Sequence, residues 1–136
     1  MTITVQPGES IGIVDESGSG KTTLINLISG VYRDYTGKIL LDGIDVCTLH
    51  HDDITQSIAV IPQDTLLSNR TVRENILYGN QQATKAELEA AIRAAAADFI
   101  WKLSNGLDTV VGERGNLLSG GQRQRIAIAR AILKEC

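Results

Sequence analysis

Ser17-Gly18-Ser19-Gly20-Lys21-Thr22-Thr23 sets a lysine and two hydroxyls directly behind a Gly/Ser loop. Glycines let backbone N–H groups converge on an anion without side-chain clashes. A helix opening at the loop's end adds partial positive charge. In such a loop Lys21 reaches the β- and γ-phosphates of a nucleotide, and the Thr22 hydroxyl binds Mg²⁺. The strict phosphate-loop pattern begins with glycine, but Asp15 stands at that position. Its carboxylate lies at the mouth of an anion site, where like charges at ~6 Å repel by about 1 kcal/mol or less in water. The expectation is weakened binding, not abolished binding. Asp15 also replaces a residue free to adopt positive φ, which aspartate tolerates better than most.

A second constellation lies near the other end, where Leu118 to Arg125 reads LSGGQRQR. Ser119 is a good N-cap, and Gly120 and Gly121 leave the start of the following helix bare. Exposed N–H groups with the Ser119 hydroxyl make a second anion site. Two further clusters are plainer. His50-His51-Asp52-Asp53 reads as a solvated loop, because neighbours on a strand point to opposite faces and ligate together poorly. Arg123, Arg125 and Arg130 read as a solvated helix face with domain contacts, not a nucleic-acid site.

Strands, turns and helices must hold these residues. Thr2 to Val5, Ser10 to Val14 and Ile58 to Ile61 read as strands, with a turn at Pro7-Gly8 and a stop at Pro62. Thr22 to Ser29 reads as a helix stopped by Gly30. Asp42-Gly43 between Lys38–Leu41 and Ile44–Val46 signals a hairpin. Thr71 to Leu77 reads as a short helix. Thr84 with Glu87 makes a capping box for a longer one, with Leu88, Ile92, Ala95 and Phe99 on one face. Trp101 is expected to pack on that helix. Gln122 to Lys134 forms the last helix.

The chain has 13 Lys+Arg and 16 Asp+Glu, a formal charge of −3, so any phosphate site is built locally and not by bulk charge. Residues 1–64 carry nine acids and three bases, an acidic half that is either solvated surface or a face for a basic partner. Aromatics are 4%, so the core is aliphatic. No apolar run approaches the ~18 residues of a membrane helix, and no signal peptide opens the chain. Cys47 and Cys136 read as free thiols.

These motifs together resemble the nucleotide-binding domain of ATP-binding cassette (ABC) transporters, over nearly the whole chain. Three stretches resemble the exporter type: Ile61-Pro62-Gln63-Asp64, Thr71-Val72-Arg73-Glu74-Asn75-Ile76, and Thr109-Val110-Val111-Gly112-Glu113-Arg114-Gly115. The resemblance implies an α/β fold: an incomplete P-loop NTPase (RecA-like) core with an inserted α-helical subdomain carrying the signature. Residues 1–66 would be the core part with P-loop and Q-loop, 67–121 the helical subdomain, and 122–136 the signature helix returning to the core. Gln63 would be the Q-loop glutamine, contacting Mg²⁺ and the attacking water. The Thr109–Gly115 stretch would touch the membrane domain.

The resemblance also implies a head-to-tail dimer. Ser17 to Thr23 would bind ATP in cis, while Leu118, Ser119, Gly120, Gly121 and Gln122 would serve ATP held by the partner domain. The partners implied are a second nucleotide-binding domain and the transporter's transmembrane domain, at the cytoplasmic face of a membrane, with no nucleic acid.

The family's Mg²⁺-orienting Asp, its catalytic Glu, its switch histidine and its adenine-stacking aromatic fall outside these residues. Ile39 to Asp42 looks like an apolar strand ending in Asp, but Gly43 follows and the segment precedes Gln63. The expectation for these residues alone is therefore ATP binding with negligible ATPase activity. The first strands of such a sheet would leave an apolar edge exposed and the chain poorly folded. A binding module without turnover is the alternative function. A DNA-repair or chromosome-maintenance relative would separate loop and signature by a long coiled coil, and a kinase would have no use for LSGGQ.

Overall fold

A computed structural model describes residues 1–134. The chain divides into two compact units, Met1–Ile54 and Thr55–Cys136. The expected thiol of Cys136 lies outside the described residues.

In the first unit Gly8 turns at φ 78°, with Glu9 N–H donating to the Gln6 carbonyl at 3.0 Å. Helix α1 spans Lys21–Ile28. Strands β1 (Leu40–Leu41) and β2 (Ile44–Asp45) pair antiparallel, Leu40 opposite Asp45 and Leu41 opposite Ile44. Asp42 (φ 49°) and Gly43 (φ 81°) both take the left-handed conformation that a tight two-residue hairpin requires. Val46 and Ile54 make a small core beneath Gly30. A Cβ on Gly30 would stand 2.7 Å from Ile54 Cδ1, and its φ of 72° is a glycine conformation. Cys47 is a free thiol whose Sγ donates to Tyr35 Oη at 3.1 Å. That bond, then burial, pushes the Tyr35 pKa up to about 12.

The expected strands Thr2–Val5, Ser10–Val14 and Ile58–Ile61 are not formed; among the described residues β1 and β2 are the only paired strands. Alternating apolar residues report which face a strand would bury, while a strand itself needs a hydrogen-bonding neighbour. Without one, Ile3, Val5, Ile11 and Ile13 stay exposed and Val14 is 95% exposed. His50 to Asp53 also departs from expectation. His51–Ser57 is a helix, α2, with Asp52 and Asp53 in its first turn and Ile54 buried. Acids at a helix N-terminus oppose the positive end of its dipole, which offsets the poor propensity of the segment.

The second unit is helical, with α3 (Val72–Leu77), α4 (Lys85–Ala94) and α5 (Gly120–Leu133). α5 packs on both α3 and α4. Ile76, Ile92, Ile100 and Ile126 are fully buried between them, each worth about 1.5–3 kcal/mol on transfer from water. α4 stops at Ala94 because Ala96 turns left-handed at φ 52°. Phe99 therefore packs from a 3₁₀ turn, Asp98–Lys102, and not from the helix. Trp101, expected to pack, is 48% exposed, because this turn aims Ile100 inward instead. The 109–111 strip runs beside 70–72: Val72 N–H donates to the Thr109 carbonyl at 2.9 Å and Val111 N–H to the Arg70 carbonyl at 3.0 Å.

Capping boxes start all three helices, Thr71 with Glu74, Thr84 with Glu87, and Ser119 with Gln122. Hydrogen bonds from the backbone and hydroxyl of Thr71 hold the Glu74 pKa below its ordinary value, and Thr84 does the same for Glu87. A carboxyl held low in the folded state adds stability that is complete above its unfolded value, ~4.3, and is lost as pH falls below it. Acidification through about pH 5 to 3 is expected to fray α3 and α4. The double variant Glu74→Gln, Glu87→Gln keeps a side-chain acceptor that does not titrate. Circular dichroism of the variant should show a flatter acid limb than wild type; identical limbs would dismiss the caps as its source.

Candidate phosphate-binding site

The Gly/Ser loop lies in the first unit; Gln63 and the 118–122 signature lie in the second. Gly18 (φ 87°) and Gly20 (φ 94°) bend the loop through the left-handed region into α1. Gly20 is the N-cap and offers no side chain, so the first N–H groups of α1 have no side-chain cap. They present a bare positive helix end on exposed backbone. Lys21 is folded back across the loop. Its Nζ donates to the Asp15 carbonyl (2.8 Å), the Glu16 carbonyl (2.7 Å) and Ser19 Oγ (3.0 Å). The ammonium's three donors thus hold the ring of backbone that a phosphate would enter. Thr22 and Thr23 stand exposed on the first turn of α1.

Asp15 is not strained, since its φ is outside the left-handed region. Its Oδ1 accepts from the Glu16 N–H at 2.7 Å. The cost of this substitution is therefore electrostatic and not conformational. Asp15 is exposed, so water screens that cost toward the low end.

Gln63 follows Pro62 in an exposed bend, and Leu67 anchors the segment beyond it in the core. At the signature, Ser119 Oγ accepts from Gln122 N–H at 3.2 Å, and Gln122 Oε1 accepts from Ser119 N–H at 3.0 Å. The N–H groups of Gly120 and Gly121, in the first turn of α5, have no partner within the helix. Leu118 is buried and roots the motif. A Cβ on Gly121 would meet nothing within 4 Å, and on Gly120 only Arg123 Nη2 at 3.7 Å. The packing of this chain therefore asks for glycine at neither position.

The sequence places Asn75 only within the Thr71–Ile76 stretch, and Arg123, Arg125 and Arg130 on a solvated helix face with domain contacts. Arg123 Nη1 donates to the Leu118 carbonyl at 2.8 Å and braces the signature from behind. Arg125 Nη1 donates to the Ala96 carbonyl at 3.3 Å. Arg130 bonds Asn75 and lies 5.6 Å from the Tyr78 ring centroid, and burial lowers its pKa. Arg123 and Arg130 are half-buried and anchor α5 within its unit, while Arg125 stands exposed, as expected of a solvated helix face. The available signal was the seven-residue spacing of Arg123 and Arg130, which puts both on one side of a helix.

A family profile described as "ABC transporter" matches residues 1–136. The chain belongs to the ABC transporter family, and its fold is that of the P-loop NTPases in the family's nucleotide-binding domain. It is 55% identical over 135 residues to the beta-(1→2)glucan export ATP-binding/permease protein NdvA of Agrobacterium fabrum (strain C58 / ATCC 33970), covering 98% of this chain and 23% of that protein. The NdvA protein of Rhizobium meliloti (strain 1021) is 54% identical over 128 residues, 93% of this chain and 22% of its own length. A solved structure of a bacterial Atm1-family ABC exporter with ATP bound superposes with a TM-score of 0.81 at 45% identity, covering 88% of this chain and 21% of that one. The chain thus spans under a quarter of these relatives, all of them exporters. No helix among the described residues is long and apolar enough to cross a membrane.

Proposed function

We propose that this chain is the phosphate-clamping and signature-bearing part of an ABC exporter's ATP-binding domain, coupling ATP binding and hydrolysis to export at the cytoplasmic face of a membrane. The observation that carries this reading is the Lys21 ammonium held over a glycine loop at the uncapped start of α1. A nucleotide triphosphate would exchange these carbonyl contacts for phosphate oxygens. Ser17 to Thr23 bind ATP in cis, and Leu118 to Gln122 complete the site of a second nucleotide-binding domain in a head-to-tail dimer. Thr22 and Gln63 offer neutral oxygen donors suited to Mg²⁺, which keeps water and phosphate among its ligands. Mg²⁺ would supply neutralisation of the phosphates' negative charge there. The domain reading is a core part over 1–66, a helical subdomain over 67–121 and the signature helix over 122–136, with a transmembrane domain as further partner.

Binding without turnover by these 136 residues alone is the second reading. Asp42, which could pass for a metal-binding carboxylate at a strand end, sits in the hairpin turn at φ 49°. That favours a water-positioning carboxylate supplied from elsewhere in a longer protein.

Titration of a fluorescent ATP analogue tests the reading. Lys21→Ala is expected to weaken binding at least about tenfold, the loss of a charge-assisted phosphate contact. Asp15→Gly is expected to tighten it by about two- to fivefold, the worth of a screened like charge. Equal affinities for all three proteins would end the proposal.

A further inference from the structure

Asn75 is 2% exposed and every polar atom of its amide is engaged. Its Nδ2 donates to the Ser68 and Thr71 carbonyls, both at 3.0 Å. Its Oδ1 accepts from Ser68 N–H at 2.9 Å and from Arg130 Nη2 at 3.2 Å. Arg130 Nε donates to the Asn75 carbonyl at 2.8 Å. These bonds join three pieces of chain: the segment that runs on from Gln63, helix α3, and helix α5, whose other end carries the signature.

We propose that Asn75 and Arg130 are positioning residues, a clasp that makes the Gln63-bearing segment and the signature helix move as one piece. The inference rests on the function proposed above, in which Gln63 and the signature serve phosphate chemistry. Apolar side chains of similar volume would fill such a space with no loss of stability. Hydrogen bonds with a guanidinium fork instead fix direction and register. Register is what a site assembled from separate segments needs, because a misplacement of about 1 Å can cost roughly a hundredfold in rate. Arg123 braces the signature end of the same helix, so α5 is held near both ends.

The test uses the full-length protein with Arg130→Met, Arg130→Lys and Asn75→Asp. Nucleotide affinity, kcat and KM for ATP, the thermal midpoint and hydrogen exchange at the Ser68 amide are measured together. Affinity for the fluorescent analogue should stay within about twofold of wild type, since the Lys21 loop is untouched. For Arg130→Met, kcat should fall about ten- to a hundredfold with KM little changed. Arg130→Lys should recover part of that loss, because an ammonium still reaches the Asn75 carbonyl. The Ser68 amide should exchange at least about tenfold faster in Arg130→Met and Asn75→Asp. A folded Arg130→Met with wild-type kcat overturns the clasp, as does a loss shared equally by affinity and kcat. Where Arg130→Met does not fold, Arg130→Lys decides, and wild-type kcat with wild-type Ser68 exchange there overturns it. If wild type neither binds nor hydrolyses ATP, the proposed function has failed; Ser68 exchange then judges the clasp alone, unchanged exchange overturning it.

Discussion

Gly121→Asp in the full-length protein is expected to lower nucleotide turnover by about a hundredfold or more. Affinity at the Lys21 loop should be unaffected. α5 opens with two glycines, each costing about 0.8–1 kcal/mol of helix propensity relative to alanine. Neither needs a left-handed backbone, and a Cβ at Gly121 meets open space. Among the described residues nothing stands close enough to require glycine at either position; on the function proposed above, the requirement comes from a phosphate that approaches from outside. A phosphate drawn onto the Gly120 and Gly121 N–H groups would meet a carboxylate in the variant, and that charge would oppose the bare helix end. Gly121→Ala separates folding from function: it should raise the thermal midpoint by a few degrees, the effect of about 0.5–1 kcal/mol in a small domain, and still impair turnover. Phosphate release at saturating Mg-ATP, with Lys21→Ala as the contamination control, decides the matter. A wild-type rate in Gly121→Asp would remove the signature from the site.

Gly79→Val is expected to cost the helical unit about 3 kcal/mol or more, the upper range for overpacking against backbone. Gly79 lies just past α3, its N–H donating to the Ile76 carbonyl at 3.1 Å. A Cβ there would overlap the carbonyl oxygen of Arg130, in the backbone of α5. Backbone cannot step aside as a flexible side chain does, so α3 and α5 would have to separate. That separation would open the core at Ile76 and Ile126 and strain the Asn75–Arg130 bonds. Thermal melts followed by circular dichroism should show the midpoint falling by about 10 °C or more. Gly12→Ala is the contrast: its φ is ordinary and a Cβ meets nothing within 4 Å, so the change should stay within about 0.5 kcal/mol. A Gly79→Val melt matching wild type would mean that the α3–α5 contact is not as close as it stands here.

Much of this molecule is specified within a few residues of sequence. Thr84 and Glu87 cap each other three positions apart, and Ser119 does the same with Gln122. Asp42-Gly43 closes its hairpin because both residues tolerate positive φ. Gly18 and Gly20 shape the loop that Lys21 spans, again over a handful of positions. Such features were readable because their hydrogen bonds close locally.

The segments 2–5, 10–14 and 58–61 show the opposite case. The alternation of the first and the apolar runs of the other two are real, yet a strand is a relation between two pieces of chain, and the pattern of one piece says nothing of whether the other is there. α2 was missed because its single buried residue, Ile54, leaves too little periodicity to detect in seven residues. The pairing of Asn75 with Arg130 is hidden for the same physical reason in another form. They lie fifty-five positions apart, and each alone looks like an ordinary polar residue on a helix. Only when α3 and α5 pack does burial strip water from Asn75 and from part of the Arg130 guanidinium. Each must then find a partner, and the partner it finds is the other.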